Sequence, residues 1–513
     1  MSPTIPLLWT NDDITTMKPA DAMKQHRNDP AAKLSPSIEA DAEQLLLSSD
    51  FSSAQYGMAV ENAAPRDGGV AIRTTGSDFS FEPTHGTLKV SQRLACERSV
   101  ANVVFPPGSL AGLKIEGSES GSVLLSAGHG RLKLRINADS LVMLQSSEPL
   151  TLTFSISFRP AVVRQFAGNV MFLDEYGVFG AYPATGPEPV LTVSKDHSVR
   201  YELAAGQILW LSAGPPRPYR WEQSFRDRVI WHWSKETGYP SDSEIETWSR
   251  FGNLLLQQSE VMMWKDWSLR FIPRNGVEEF QRVIDTCRRF GIRNYVYTSP
   301  FYFLTGTGLE SKAMNSFENF KGFSPGDGRG LNWPLFVEEI RRVVQEYRPA
   351  GLYFDGMYDN VVRTYIVARK ARGIVGDDGI LEYHATIGEG PNRATPPGGG
   401  LFLPQIDTYF DFILRGEGQH DAYKKAEFLR YTVSTYNNSN SIGVLCNNYN
   451  HKLDAPLIEK LLDNNIRLHV IATTNEETLK LLEEHYFPKL NMSLRARVEA
   501  ACASRASLPI PNE

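Results

Sequence analysis

The sequence predicts an α/β protein in two parts, an N-terminal antiparallel β-sandwich and a (β/α)8 TIM barrel. Three observations lead there. Between residues 61 and 215 short apolar runs recur, broken by Gly, Pro, Ser, Asn and Asp, and no amphipathic stretch of helix length interrupts them. From residue 222 onward, β-type runs alternate with amphipathic stretches. Eight such units fit into roughly 260 residues, the length of one barrel.

Composition sets the outer limits. The chain has 513 residues, 42% of them hydrophobic and 22% charged, which suits a buried core and excludes disorder and collagen-like architecture. With 53 basic and 59 acidic residues, the formal charge of −6 is small for this length and argues against nucleic acid held by bulk charge. No run of about 18 apolar residues exists, so no membrane span is expected. The N-terminus lacks a basic segment followed by an apolar core, so a cytoplasmic protein is expected; the trimmed form of a secreted one would read alike. Cys96, Cys287, Cys446 and Cys502 form no CxxC pair and read as buried free thiols.

The elements follow in order. Residues 1–60 form a leading segment with a short helix over Ser35 to Leu47, capped by Ser35 or Ser37. Residues 61–215 carry the sandwich, and the run LTLTFSISF alternates strictly, as a half-buried antiparallel strand does. Prolines in AGPPRPYRW (213–221) block both helix and ladder and mark a linker. The barrel covers 216–490, and 491–513 form a tail. Its eight strands are expected at 229–234, 261–267, 293–299, 351–356, 382–387, 408–415, 441–446 and 467–473. Helices are expected at 277–291, 334–347 and 455–464; Val277, Phe280, Val283 and Ile284 follow the 3.6 period and Gly291 closes the first. A doubly wound open sheet is the competing fold, but no Gly-rich phosphate loop follows the first strand, and GDGRG (326–330) lacks the Lys-Ser/Thr of a nucleotide site.

In such barrels the site sits at the C-terminal ends of the strands. Asp355 stands at the end of an apolar strand and is followed by glycine; alternation puts it on the face of Tyr353. The competing role is a helix N-cap, for which Asp359 is better placed. Glu417 lies between two glycines and shares a face with Arg415, which would favour its ionised form or hold a substrate group. A rim ion pair is the bland alternative. Glu389 has the same Gly-Glu-Gly setting, before a Gly/Pro-rich stretch (392–400) that reads as a loop or lid. Paired carboxylates on different strands are what glycoside hydrolysis uses, one to attack or activate water and one to protonate the leaving oxygen. Trp231, Trp233, Trp264, Trp267, Tyr297 and Tyr353 would offer faces to sugar rings, or else pack the core. His232, Asp266, His384, His420 and His469 could converge on a metal, but no HxH or HExxH pattern supports this, and no metal or cofactor is expected. A Ser-His-Asp triad has no GxSxG elbow.

The run Tyr353-Phe354-Asp355-Gly356, with Gly416-Glu417-Gly418 after a strand preceded by LPQID (403–407), resembles a group of glycoside-hydrolase-like barrels with an N-terminal β-sandwich. More distantly it resembles the retaining α-galactosidase clan, with acids ending the fourth and sixth strands. That resemblance implies Asp355 as nucleophile and Glu417 as general acid/base. The clan usually has Asp at the sixth strand and often Lys two residues before the nucleophile; this chain has Glu417 and Tyr353.

The expectation is therefore a glycoside hydrolase acting with retention through Asp355 and Glu417, with Glu389 in reserve. His232, Trp264, Lys265, Asp266, Tyr297, Tyr353, His384, Arg415 and Asn447 would contact the carbohydrate. Lys265 and Arg415 together hint at an acidic sugar. A homo-oligomer is left open. Two other readings remain: a sugar lyase or isomerase using His and Tyr for proton transfer, and a non-catalytic carbohydrate-binding protein.

Overall fold

The computed structural model describes residues 38–48, 56–119, 121–166, 168–232, 239–257, 264, 271–273, 275–298, 302–304, 320–322, 333–354, 361–384, 403–414, 429–433, 442–446 and 453–490. The first element is helix α1 (Ile38–Leu47). Sixteen antiparallel strands then form two eight-stranded sheets. One runs from Val60–Arg66 at its edge to Val190–Val193 at the other; the second runs from Val162–Phe166 to Lys114–Glu119. Their inner faces share one apolar core, with Ile72, Phe79 and Val90 from the first sheet and Leu134, Leu144 and Phe172 from the second. This is a β-sandwich. Strand Leu150–Ile156 shows the alternation its sequence announces, with Leu150, Leu152 and Phe154 buried.

Strand Ile208–Gly214 departs from alternation and is buried throughout. Period 2 explains why. Leu209, Leu211 and Ala213 face the sandwich core, whereas Ile208 and Trp210 join the apolar cluster of the second part of the chain. Leu141 and Met143 split from Val142 and Leu144 in the same way. The outer face of the second sheet is thus covered by the following domain. A buried polar junction pins the two together. Asp139 accepts hydrogen bonds from the Tyr365 hydroxyl at 2.5 Å and the Tyr409 hydroxyl at 2.6 Å. Asn137 and Arg369 donate to the Tyr365 oxygen at 3.0 and 2.8 Å. Asp41 of α1 pairs with Arg363 at 3.4 Å, both side chains fully buried.

Eight parallel strands follow in chain order: β1 (Val229–His232), β2 (Leu254–Gln257), β3 (Arg293–Thr298), β4 (Gly351–Phe354), β5 (Ile380–His384), β6 (Phe412–Leu414), β7 (Ile442–Cys446) and β8 (Ile466–Ile471). Each pairs with the next, and β8 closes onto β1 with His469 opposite Val229. Helices follow six of them: α2 (Asp242–Trp248) after β1, α3 (Val277–Arg289) after β2, α4 (Trp333–Tyr347) after β3, α5 (Val361–Val375) after β4, α6 (Ala455–Asp463) after β7 and α7 (Glu476–His485) after β8. After β5 and β6 the described residues hold only a single turn (Pro404–Asp407) and a π-turn (Leu429–Val433).

The local causes are readable. Ser241 caps α2 in a reciprocal capping box with Glu244. α3 buries Phe280, Val283, Ile284 and Cys287 along one face, and Gly291, at φ +73°, follows its C-cap. Burial pushes the Cys287 thiol up to about 12, which suits an inert packing residue. Asp454 accepts from Leu457 N–H to start α6. Gly351 is required in β4, because a Cβ there would lie 1.9 Å from the Ile380 carbonyl oxygen. Among the described residues, no helix is long and apolar enough to cross a membrane.

The second strand is a correction. It is Leu254–Gln257 and not the expected 261–267. The run Leu254-Leu255-Leu256 is buried completely, and Gly252 before it lets the chain pass close to Ile230 of β1. The aromatic run at 261–267 looked more strand-like, but of it only Trp264 is described, in an isolated antiparallel bridge to Pro273. The sixth strand is also shorter than expected, because Pro404–Asp407 is helical and the chain straightens only at Phe412.

Candidate functional site

Because all eight strands are parallel, their C-terminal ends form one mouth of the barrel. β4 ends at Phe354, the residue before Asp355, and β6 ends at Leu414, three residues before Glu417. Asp355, Glu417, Glu389, Lys265, Asp266, Arg415 and Asn447 lie outside the described residues, as do Trp233, Trp267 and His420. His232, Trp264, Tyr297, Tyr353 and His384 can be placed.

Tyr297 and Tyr353 occupy the same level on adjacent strands β3 and β4. Their rings stack at 5.4 Å with an interplanar angle of 27°. Both are buried. The pair is fixed from behind: Thr298 Oγ1 donates to the Tyr353 carbonyl at 2.9 Å, and Trp264 Nε1 donates to the Tyr297 carbonyl at 2.8 Å. These two predicted contact residues are brought together. His384 is the last residue of β5 and is half-buried, two positions after Glu382 on the same face.

Beside this pair is a polar cluster that the sequence did not reveal as a unit. Glu382 of β5 is fully buried and opposite Tyr353 in register. Tyr295 of β3 donates its hydroxyl to Glu382 Oε2 at 2.6 Å. His469 Nε2 of β8 lies 3.1 Å from Glu382 Oε1. Val, Ile and Leu dominate most barrel interiors, so a carboxylate there needs such partners. The available signal was a glutamate inside the apolar run Ile380-Leu381-Glu382-Tyr383.

Two predicted contact residues are placed elsewhere. The His232 ring stands 5.2 Å from Trp248 of α2, between strand and helix, and is buried. Burial lowers its pKa to about 4, against a smaller opposing effect of Glu244, so the ring is neutral at physiological pH. Trp264 is also buried, edge-on to Phe271 at 5.3 Å and tilted against Phe280 of α3 at 5.3 Å. Its ring packs against α3, as buried as the rings of Tyr297 and Tyr353. His232 and His469 do not converge, since one faces α2 and the other lies beside Glu382.

No protein-family model matches the chain, and no curated protein does. Solved structures do. The chain is distantly similar to a GH36 α-galactosidase from Geobacillus stearothermophilus (12% identity over 79% of this chain and 74% of that one, TM-score 0.43). It is similar to the galactosidase domain of an α-galactosidase–sucrose kinase (10% identity, 85% and 87%, TM-score 0.45). It is also similar to a GH31 dextranase from Flavobacterium johnsoniae, solved with glucose (10% identity, 88% and 71%, TM-score 0.38).

Proposed function

We propose that the chain is a glycoside hydrolase with a full (β/α)8 catalytic barrel, in which Asp355 is the nucleophile and Glu417 the general acid/base of a retaining reaction. The observation that carries the reading is the strand register. β4 and β6 are members of one closed parallel barrel, and each runs to within a few residues of one acid. Tyr353 is packed against Tyr297, and Asp355 follows Tyr353 by two residues, the spacing at which strand residues share a face.

In the proposed reaction the Asp355 carboxylate attacks the anomeric carbon while the Glu417 carboxyl gives its proton to the leaving oxygen. Water then enters, Glu417 takes its proton, and the ester to Asp355 breaks. His384, the last residue of β5, would contact the sugar. The buried Tyr295–Glu382–His469 cluster holds three strands in position.

The test is turnover of a panel of aryl α- and β-glycosides by wild type and Asp355→Asn. The reading predicts one cleaved glycoside and a fall of at least about 1,000-fold in kcat for the variant. Activity that survives Asp355→Asn but is lost in His384→Ala would replace it with proton transfer by histidine, the lyase or isomerase reading. Ligand binding by calorimetry without any turnover would replace it with the carbohydrate-binding reading.

A further inference from the structure

The opposite end of the barrel holds a cavity of about 740 Å³. Its walls come from where strands begin. Arg226 precedes β1, Arg293 is the first residue of β3 and Asp378 precedes β5, with Arg220 and Glu222 completing the charged lining. It is therefore at the mouth remote from the strand ends that lead to Asp355 and Glu417.

The charge balance behind this cavity is uneven. Arg217, Arg220 and Arg372 surround the Tyr56 ring, with their guanidinium carbons 4.0, 5.0 and 3.8 Å from its centroid. Two of them, Arg220 and Arg372, share one carboxylate, Asp411. Arg372 Nη2 reaches Asp411 Oδ2 at 2.7 Å and Arg220 Nη1 reaches Oδ1 at 3.3 Å, while the Tyr56 hydroxyl donates to the same carboxylate. Burial opposes ionisation of Asp411, but Arg372 and these hydrogen bonds hold its pKa below the usual value. Arg217 makes no ion pair with it. Its Nε donates to the Thr408 carbonyl at 2.9 Å, and its Nη2 is buried without a hydrogen-bond partner among the described residues. Burial lowers the Arg217 pKa to about 10, which leaves it charged at neutral pH. Arg226 and Arg293 likewise share a single buried carboxylate, Asp227, at 3.0 and 2.9 Å.

Among the described residues four guanidiniums thus meet two buried carboxylates, and Arg217 is a fifth without an ion pair; the lining adds the acids Glu222 and Asp378, so five cations stand against four acids. Glu222 and Asp378 are exposed, as is Arg226, and water and salt screen all three, whereas Arg220 and Arg293 are half-buried. Arg220 belongs to both regions, since it lines the cavity and its Nη1 donates to the Tyr56 hydroxyl at 2.6 Å. We propose that this cavity is a binding site for a small oxyanion, a phosphate- or carboxylate-bearing molecule held chiefly by Arg220, Arg226 and Arg293. Guanidinium forks match the oxygens of either group. The occupant would complete the charge balance of the arginine cluster and tie together the starts of strands that deliver the other mouth. The inference does not rest on the glycosidase reading.

The test is calorimetric titration of the full chain with inorganic phosphate and, separately, with citrate, with NaCl matched for ionic strength. Thermal melts accompany it, for wild type, Arg220→Gln and Arg226→Gln. The site predicts saturable binding with a Kd of about 1 mM or tighter, a raised melting temperature, and at least tenfold weaker binding in Arg220→Gln. If Arg220→Gln fails to fold, Arg226→Gln decides, with a weakening of at least threefold. Binding of phosphate alone upholds the site for a phosphorylated ligand, and binding of citrate alone upholds it for a polycarboxylate. The absence of any saturable signal beyond NaCl overturns the proposal, and so does unchanged affinity in the variants that fold.

Discussion

His232 makes the chain's stability depend on pH in a calculable way. Its ring is buried between β1 and Trp248 of α2, and burial depresses its pKa from 6.5 to about 4. The folded state therefore resists protonation that the unfolded chain accepts. The stabilisation from the neutral ring is fully present above pH 6.5 and is lost progressively as pH falls toward 4. The gap of 2.5 between the two values corresponds to about 3 kcal/mol in the limit, and linkage gives a loss of about 2 kcal/mol by pH 5. His232→Phe keeps a ring against Trp248 but cannot titrate. Denaturant unfolding of wild type and variant at pH 7.5 and pH 5 isolates the effect, because the other titrating groups are common to both. Wild type should lose about 2 kcal/mol more than the variant over that interval. Histidine-selective NMR identifies the ring directly, since the chain has ten histidines and the variant lacks one signal. A His232 titration midpoint at or above 6.5, or equal losses in both proteins, would refute the reasoning.

Other outcomes follow from the packing. Asp139→Ala leaves the Tyr365 and Tyr409 hydroxyls without their shared acceptor; it should destabilise the chain by about 3 kcal/mol, read as a lower melting temperature and faster proteolysis between sandwich and barrel. Gly351→Ala forces a Cβ to 1.9 Å from the Ile380 carbonyl, so it should cost more than about 4 kcal/mol and abolish a cooperative melt; a melt like wild type would contradict the packing of β4 on β5. Glu382→Ala removes the acceptor of Tyr295 inside the barrel and should cost about 3 kcal/mol by denaturant unfolding, whereas Glu382→Gln keeps an acceptor and should cost less.

Sequence pattern carries local physics well and long-range physics poorly in this chain. Helix α3 was legible because its apolar period and its closing glycine are encoded within fifteen residues. β4 was legible because its short apolar run stands between the turn after α4 and an acid–glycine pair. The second barrel strand was not, because strand propensity favours the aromatic run at 261–267 over three leucines, while burial against Ile230 decides the outcome. The order of strands in the sandwich was likewise hidden, since Leu150–Ile156 pairs with Arg98–Val104 and Ser198–Leu203, far away in the chain. That Tyr297 and Tyr353 stand near the ends of neighbouring strands was legible from their runs, whereas the stacking of their rings depends on the register of β3 on β4. His232 and Trp264 were named for their chemistry, but a side chain at a strand end can turn outward to a helix, and alternation alone does not fix which face is inner. Glu382 escaped because a buried charge is recognised only once its partners on two other strands are known.

The role of Asp355 as nucleophile is read from proton NMR of the first-formed sugar. The experiment follows hydrolysis of the best aryl glycoside by wild type, beside Asp355→Asn, before mutarotation sets in. The account predicts that the released sugar keeps the anomeric configuration of the substrate and that the variant releases none. Release with inverted configuration, or release by the variant at the wild-type rate, would contradict it.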